Sequence, residues 1–319
     1  MKQTTFESLA WSGKGKVTRR ERFLAEMDAV VPWGKLIKLI QPHYPKAGNG
    51  TQPMPLERML RIHFMQHWFN LSDPAMEDSL YDSESMRRFA GIELAEDAVP
   101  DESTILRFRR LLELHQLSEK IFAQIRTLLE EKRLLLKSGT IVDATIIHAP
   151  CSTKNRDQSR DPEMHQAKKG KNWYFGMKAH VGVDSKTKII HTAVVTAANV
   201  SDAAALPDLL HREETRVRDD GAYQGQTDVI RECAPRARDF TQRRCRYKTE
   251  IVDEVAWAKN RTKSKVRAKV EHVFQVLKLR FGFVKVRYRG LKKSAHRLFV
   301  TSTLVNLFVA RKKLLLARV

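Results

Sequence analysis

Cysteine and long apolar segments are both scarce in this chain of 319 residues. Its three cysteines, Cys151, Cys233 and Cys245, cannot all pair with one another and have no CxxC spacing. They therefore indicate reduced thiols, not a disulfide framework or a zinc site. The N-terminus has no apolar signal core, and the segment Leu298–Ala310 is too short and too polar to span a bilayer. We expect a cytoplasmic protein with no membrane partner.

Acidic residues are also few relative to basic ones. The chain has 37 Asp and Glu against 58 Lys and Arg, a formal net charge of +21. A compact chain with this charge repels itself unless a polyanion neutralises it, so nucleic acid is the expected partner. The length suffices for one large domain or two ordinary ones.

Helical patterns dominate the first 135 residues. Asp73 followed by Pro74 predicts one helix start, and Ser83 and Asp101 predict two more. Successive short helices resemble a helix-turn-helix arrangement, although such bundles also occur in proteins that do not bind DNA. We predict an all-helical DNA-binding and dimerisation domain over residues 1–135, and a further helix, Leu117–Leu136, that connects it to a second domain. The candidate DNA contacts here are Arg107, Arg109 and Arg110.

The apolar pattern changes period at Ser138. The run G-T-I-V-D-A-T-I-I is typical of a strand that is covered on both faces. Strands followed by interleaved helices predict a mixed α/β domain over residues 136–319. Further strands are predicted at Tyr174–Val183, Lys188–Thr196, Val217–Asp220 and Asp239–Gln242.

Two strands carry acids that invite a cation. Asp143 lies in the middle of the first strand, where an ionised carboxylate is costly unless it is paired or binds a cation. An arginine or backbone N–H groups could satisfy it equally well. Asp219 and Asp220 end a later strand, at the edge where α/β sheets bind ligands. Spacing alone does not separate these two.

A helix predicted from Ser264 to Phe281 supplies the third acid. Its apolar residues recur at helical spacing, and Arg267, Glu271 and Lys278 share one edge beside them. An exposed Arg267–Glu271 helix pair is the simpler alternative. Together with Asp143 and Asp220, however, Glu271 completes three hard oxygen ligands. These suit two Mg²⁺ or Mn²⁺ ions and phosphoryl displacement on a polyanionic substrate.

Five segments of the chain together form a specific pattern: I-V-D-A-T-I-I-H-A-P, Y-F-G-M-K-A-H-V-G-V-D, T-A-A-N-V-S-D, D-G-A-Y-Q-G and R-A-K-V-E-H-V-F-Q-V-L-K. In these segments the chain resembles the bacterial insertion-sequence DDE transposases, in particular the insertion sequence five group of the insertion-sequence-four superfamily. The resemblance implies a ribonuclease-H-like catalytic fold with Asp143, Asp220 and Glu271 as catalytic metal ligands. It favours Asp220 over Asp219, because the family aspartate precedes the matching tyrosine by three residues. Ser264 stands where the superfamily signature has a tyrosine.

Basic residues flank the proposed acids. Cations occupy alternate positions from Lys259 to Lys269, and we predict that this run begins as a loop. A solvated surface is the alternative to phosphate contact. The segments K-K-G-K-N-W-Y and R-Y-R-G-L-K-K also mix cations with aromatics. The candidate DNA contacts in this half are Arg267, Lys278, Lys265, Lys269, Arg287 and Arg289.

The sequence therefore predicts a transposase that hydrolyses DNA at the ends of an element and joins the freed 3′-hydroxyls to target DNA. Its expected partners are double-stranded DNA, both terminal inverted repeats and target, and at least one further copy of itself. A nuclease that never joins strands, or a domesticated DNA-binding protein with structural acids, remains an alternative.

Overall fold

The computed structural model describes residues 13, 15–49, 52–242 and 254–317. Most of the predicted polar N-terminal arm and Cys245 lie outside these ranges. Cys151 and Cys233 are free thiols. Within the described ranges, no helix combines the length and the apolarity needed to cross a membrane.

The described part of the chain places seven α-helices before the first strand. Asp101 caps one of them as predicted, because its carboxylate accepts from the Thr104 amide at 2.7 Å. The cap predicted at Asp73 is Ser72 instead, whose hydroxyl accepts from the Ala75 amide. The helices are α1 (Arg19–Val30), α2 (Trp33–Ile40), α3 (Leu56–Trp68), α4 (Asp73–Asp82), α5 (Glu84–Ala90), α6 (Glu102–Leu114) and α7 (Leu117–Glu131).

A mixed sheet follows, which confirms the predicted α/β class. The strand Thr140–His148 lies inside it, antiparallel to Asn172–Asp184 on one side and parallel to Arg216–Arg218 on the other. The strands are β1 (Thr140–His148), β2 (His165–Lys169), β3 (Asn172–Asp184), β4 (Ile190–Ala197), β5 (Arg216–Arg218) and β6 (Arg238–Asp239). Their order in the sheet is β2-β3-β1-β5-β6, and β4 also pairs with β3.

The last helix joins the helical and sheet regions. It packs against α1, α7 and β4, and its buried Asn306 donates to the Ile190 carbonyl and accepts from the Ile190 amide. One apolar core therefore runs from the first helix to the last. The division at residue 135 stays a prediction. The later helices are α8 (Leu206–Leu209), α9 (Thr227–Cys233), α10 (Glu254–Arg267), α11 (Lys269–Gln275) and α12 (Leu291–Leu316), with a π-helical turn at Val276–Arg280 after α11.

Candidate active site

Asp143 lies in the middle of β1 with only 13% of its side chain exposed. Its Oδ1 accepts from the Ala144 amide at 2.8 Å, and its Oδ2 accepts from Arg267 Nη1 at 2.6 Å. Burial raises the pKa of Asp143 to about 6, and the nearby Arg267 opposes that rise. The arginine partner that the sequence left open is therefore present. Arg267 forms its ion pair with Asp143, and no Arg267–Glu271 pair occurs among the described residues.

The strand register separates the two candidate aspartates. Thr140 pairs with Val217 and Ile141 with Arg218, in parallel. Continuing this register by two residues sets Asp220 beside Asp143, whereas Asp219 falls beside Val142 on the opposite face. Accordingly Asp219 is 1% exposed.

Asp219 and Asp220 also differ in their hydrogen bonding. Neither carboxylate oxygen of Asp219 has a hydrogen-bond partner among the described residues, and burial raises the pKa of Asp219 to about 7. Asp220 accepts from the Ala222 amide at 2.8 Å. The strand register, and not these hydrogen bonds, places Asp220 on the face that carries Asp143.

The predicted catalytic helix is present, but it is not regular throughout. It is broken once, between Arg267 and Lys269, continues over Lys269–Gln275, and ends in the π-helical turn that contains Lys278. Such turns widen a helix and are frequent at functional sites. Lys278 Nζ donates to the Ile146 carbonyl at 2.8 Å. Burial and the nearby Lys169 lower the pKa of Lys278.

Five residues predicted from the sequence line a single cleft with a volume of about 540 Å³. They are Asp143, Asp220, Arg267, Glu271 and Lys278. In the described ranges, no three His, Cys, Asp or Glu side chains stand close enough to hold a metal ion. Like charges in a shared cleft repel one another, and the cation beside Asp143 is Arg267.

Other predicted DNA contacts lie away from this cleft. Lys265 is exposed, and Lys269 Nζ donates to the Ser185 carbonyl at 2.7 Å. Arg287 donates to the Leu71 carbonyl and to both oxygens of Asn70, so it connects its segment to the N-terminal helices. Arg289 is exposed and pairs with Asp157 at 2.6 Å.

The three candidate arginines of α6 do not share one environment. Arg107 and Arg110 are exposed, but Arg109 is 9% exposed. Arg109 bonds both oxygens of Asp73 and the Tyr288 hydroxyl. The prediction of Arg109 as a DNA contact is therefore corrected. In a regular helix, one face of α6 turns inward, and Arg109 lies on that face among the residues of the core.

The sequence analysis included Lys169 in a cationic segment but did not predict the strand that carries it or its position in the cleft lining. The strand β2, His165–Lys169, has little β propensity, since three of its five residues are Gln or Lys. The available signal was the Gly170–Lys171 turn ahead of the strand predicted from Tyr174. The predicted loop at the start of the basic run was also wrong, because α10 already begins at Glu254.

Two protein families match the chain. The family described as "Transposase domain (DUF772)" matches residues 12–111, and "Transposase DDE domain" matches residues 135–307. Among solved structures, the chain is similar to one described as "Cryo-EM structure of piggyBac transposase synaptic complex with hairpin DNA (SNHP)". That likeness has 9% identity and a TM-score of 0.46, covering 92% of this chain and 73% of the other. Because the DDE-domain match alone spans more than half of the 319 residues, the chain belongs to the DDE transposase family.

Proposed function

We propose that this transposase cuts and joins DNA in the cleft described above, with Asp143, Asp220 and Glu271 as its catalytic acids. The observation that carries the proposal is the convergence of these acids, from three separate elements, with Arg267 and Lys278 in one cleft. The order of antiparallel β4, β3 and β1 followed by parallel β5 and β6 supports a ribonuclease-H-like fold. Membership of the insertion sequence five group is part of the same proposal.

The donor set fits a hard divalent cation. Among the described residues, the cleft lining contains three carboxylates and neither cysteine nor histidine, which suits Mg²⁺ or Mn²⁺. We expect two ions, held by Asp143, Asp220 and Glu271. When bound, such ions activate an attacking oxygen and neutralise a leaving one. Because the carboxylates do not yet form a closed group, we expect their side chains to draw together as their charges are neutralised.

Arg267 and Lys278 are suited to hold the phosphate that reacts. One Arg267 amino group is already committed to Asp143, but its buried Nε has no hydrogen-bond partner among the described residues. A phosphate oxygen in the cleft would remove the cost of that unpaired N–H. The ammonium group of Lys278 donates one N–H to the Ile146 carbonyl and retains two N–H donors for a phosphate. In this arrangement, Arg267 links the acid on β1 to the substrate.

The remaining DNA contacts complete the proposal. The helical region 1–135 would bind the terminal inverted repeats through the exposed Arg107 and Arg110, and region 136–319 would carry the chemistry. Lys265 would contact flanking phosphates, and Lys269 and Arg287 could join only by giving up their present hydrogen bonds. Arg289 would exchange Asp157 for a phosphate. We expect the active complex to be a homodimer or larger, working in the cytoplasm.

A cleavage assay on the element's own terminal DNA tests this proposal. Glu271 is exposed, so Glu271→Gln should leave folding intact while reducing Mg²⁺-dependent cleavage by about a thousandfold or more. EDTA should abolish wild-type cleavage. The matched control is Glu232→Gln, the same chemical change at an exposed position outside the cleft lining. Wild-type cleavage rates in Glu271→Gln would refute the assignment, and hydrolysis of pre-cut ends without joined product would indicate a nuclease.

A further inference from the structure

The sheet extends beyond its central strand as a two-stranded ribbon. The strand β2, His165–Lys169, pairs with Asn172–Gly176 at the start of β3, whereas β1 pairs with β3 only from Gly176 onward. A two-stranded ribbon is marginal without support. Two contacts supply it: Tyr174 packs on His148 with ring centroids 5.2 Å apart, and Arg160 lies over Phe175. The ribbon therefore extends beyond the central strands of the sheet and is held in place by these two side-chain contacts.

The ribbon surface is strongly cationic. Lys168, Lys169 and Lys171 are exposed, and none of them forms an ion pair with a described residue. No acidic residue occurs between His165 and Gly176. Lysines on an edge strand often serve only to prevent sheets from pairing. That role does not account for Lys169, which lines the wall of the catalytic cleft.

An exposed indole lies on the ribbon face opposite Lys169. Trp173 is 65% exposed and pairs directly across the ribbon from Lys168, whose Nζ is 5.9 Å from the ring centroid. Lysines are depleted from protein interfaces, so a second protein is a poor fit to this surface. A nucleic-acid strand fits both features, because phosphates bind the cations and a base stacks on the aromatic ring.

We propose that the β2–β3 ribbon is a DNA-binding arm of the active site. Lys169 contacts the backbone phosphates of the substrate strand as it enters the cleft. Lys168 and Trp173, on the opposite face of the ribbon, contact a phosphate and an unpaired base of the DNA that flanks the cleft. Lys171, in the turn of the ribbon, contacts a phosphate between these two sites. This inference rests on the proposed function, because it takes the cleft to be the place where DNA reacts.

The phosphate contacts are tested through the salt dependence of binding. We expect the full-length Lys168→Gln/Lys169→Gln/Lys171→Gln variant to bind a fluorescent duplex of arbitrary sequence more weakly, with the slope of log affinity against log salt reduced by about 0.9 for each lost contact. The control makes the same charge change at three exposed lysines outside the cleft lining, namely Lys132 directly after α7 and Lys312 and Lys313 on α12. Equal losses in the two variants, or none in the first, would overturn the proposal.

The stacking contact is tested with a duplex that carries a single-stranded extension. Trp173→Ala should weaken binding to this DNA by about 5- to 100-fold, whereas Trp173→Phe should retain most of the affinity. The affinity for a blunt duplex should fall less in Trp173→Ala, because a blunt duplex offers no unpaired base. Unchanged DNA affinity of Trp173→Ala would overturn the proposal. If this variant also has a lower molecular mass by light scattering, Trp173 contacts a second copy of the chain instead of DNA.

These outcomes separate the ribbon from the chemistry of the acids. If Glu271→Gln abolishes cleavage while the ribbon variants bind and cleave as the wild type does, the ribbon proposal fails and the proposed function stands. If Glu271→Gln cleaves normally, the proposed function fails, whatever the ribbon variants do.

Discussion

Replacing Arg109 tests whether the arginines of α6 serve the interior or the DNA. Its Nη1 lies 2.6 and 2.8 Å from the two Asp73 oxygens and 2.7 Å from the Tyr288 hydroxyl. The guanidinium carbon also lies 4.1 Å from the centroid of the Tyr288 ring. The ion pair is well buried, since the two side chains are 11% and 17% exposed. Arg109 thereby connects α6 to α4 through Asp73 and to the segment that precedes α12 through Tyr288.

The expected cost follows from this burial. Removing one partner of a buried ion pair leaves the other charge uncompensated, which typically costs about 3–5 kcal/mol. Arg109→Gln keeps one hydrogen bond possible but loses the charge, so we expect a loss in that range. For a chain of this size, that corresponds to a lowering of Tm by at least about 5 °C.

Thermal and urea unfolding followed by circular dichroism measure the loss. Arg110→Gln is the matched control, because it makes the same change at an exposed position one residue away and should alter stability by less than about 0.5 kcal/mol. DNA affinity at a temperature where both variants are folded should fall for Arg110→Gln and not for Arg109→Gln. An Arg109→Gln variant with wild-type stability and a reduced salt dependence of binding would refute this reasoning.

Two further predictions concern stability. Burial lowers the pKa of His63 from 6.5 to about 3. Between these two pH values the unfolded chain binds a proton at His63 and the folded chain does not, so His63 lowers the free energy of unfolding there. This loss of stability is absent above pH 6.5 and grows as the pH falls toward 3. Urea unfolding should show His63→Leu losing roughly 1.4 kcal/mol less per pH unit than the wild type across that window, and equal slopes would contradict the assignment. Gly176→Ala should destabilise the sheet by about 3 kcal/mol or more, because a Cβ at Gly176 would lie 2.1 Å from the Ile147 carbonyl oxygen. Thermal unfolding measures this effect, with Gly34→Ala, where a Cβ meets nothing within 4 Å, as the control.

The central strand and the acids were predictable because each has a strong local signal. A β-branched apolar run with one carboxylate identifies both β1 and Asp143, and Asp220 follows a short strand at a glycine turn. The sequence did not predict by any local signal that Asp143 and Asp220 lie side by side. Their positions depend on the parallel register between β1 and β5, two strands that are far apart in the chain.

The errors of prediction share a physical cause, which is tertiary context. The helix expected to reach Leu136 ends at Glu131, and Arg133 then adopts a left-handed conformation. The cationic run before Glu271 is helical although its alternating pattern is equally compatible with extended chain. The inward position of Arg109 depends on Asp73 and Tyr288, which no local pattern connects to it.

The helix α12 completes a sheet that lies much earlier in the chain. Asn306 is wholly buried and satisfies both backbone groups of Ile190 in β4, so this strand lacks those two hydrogen bonds until α12 packs on it. A fragment cut before α12 would contain all three acids but not the helix that covers this edge of their sheet. We therefore expect such a fragment to lack a stable fold.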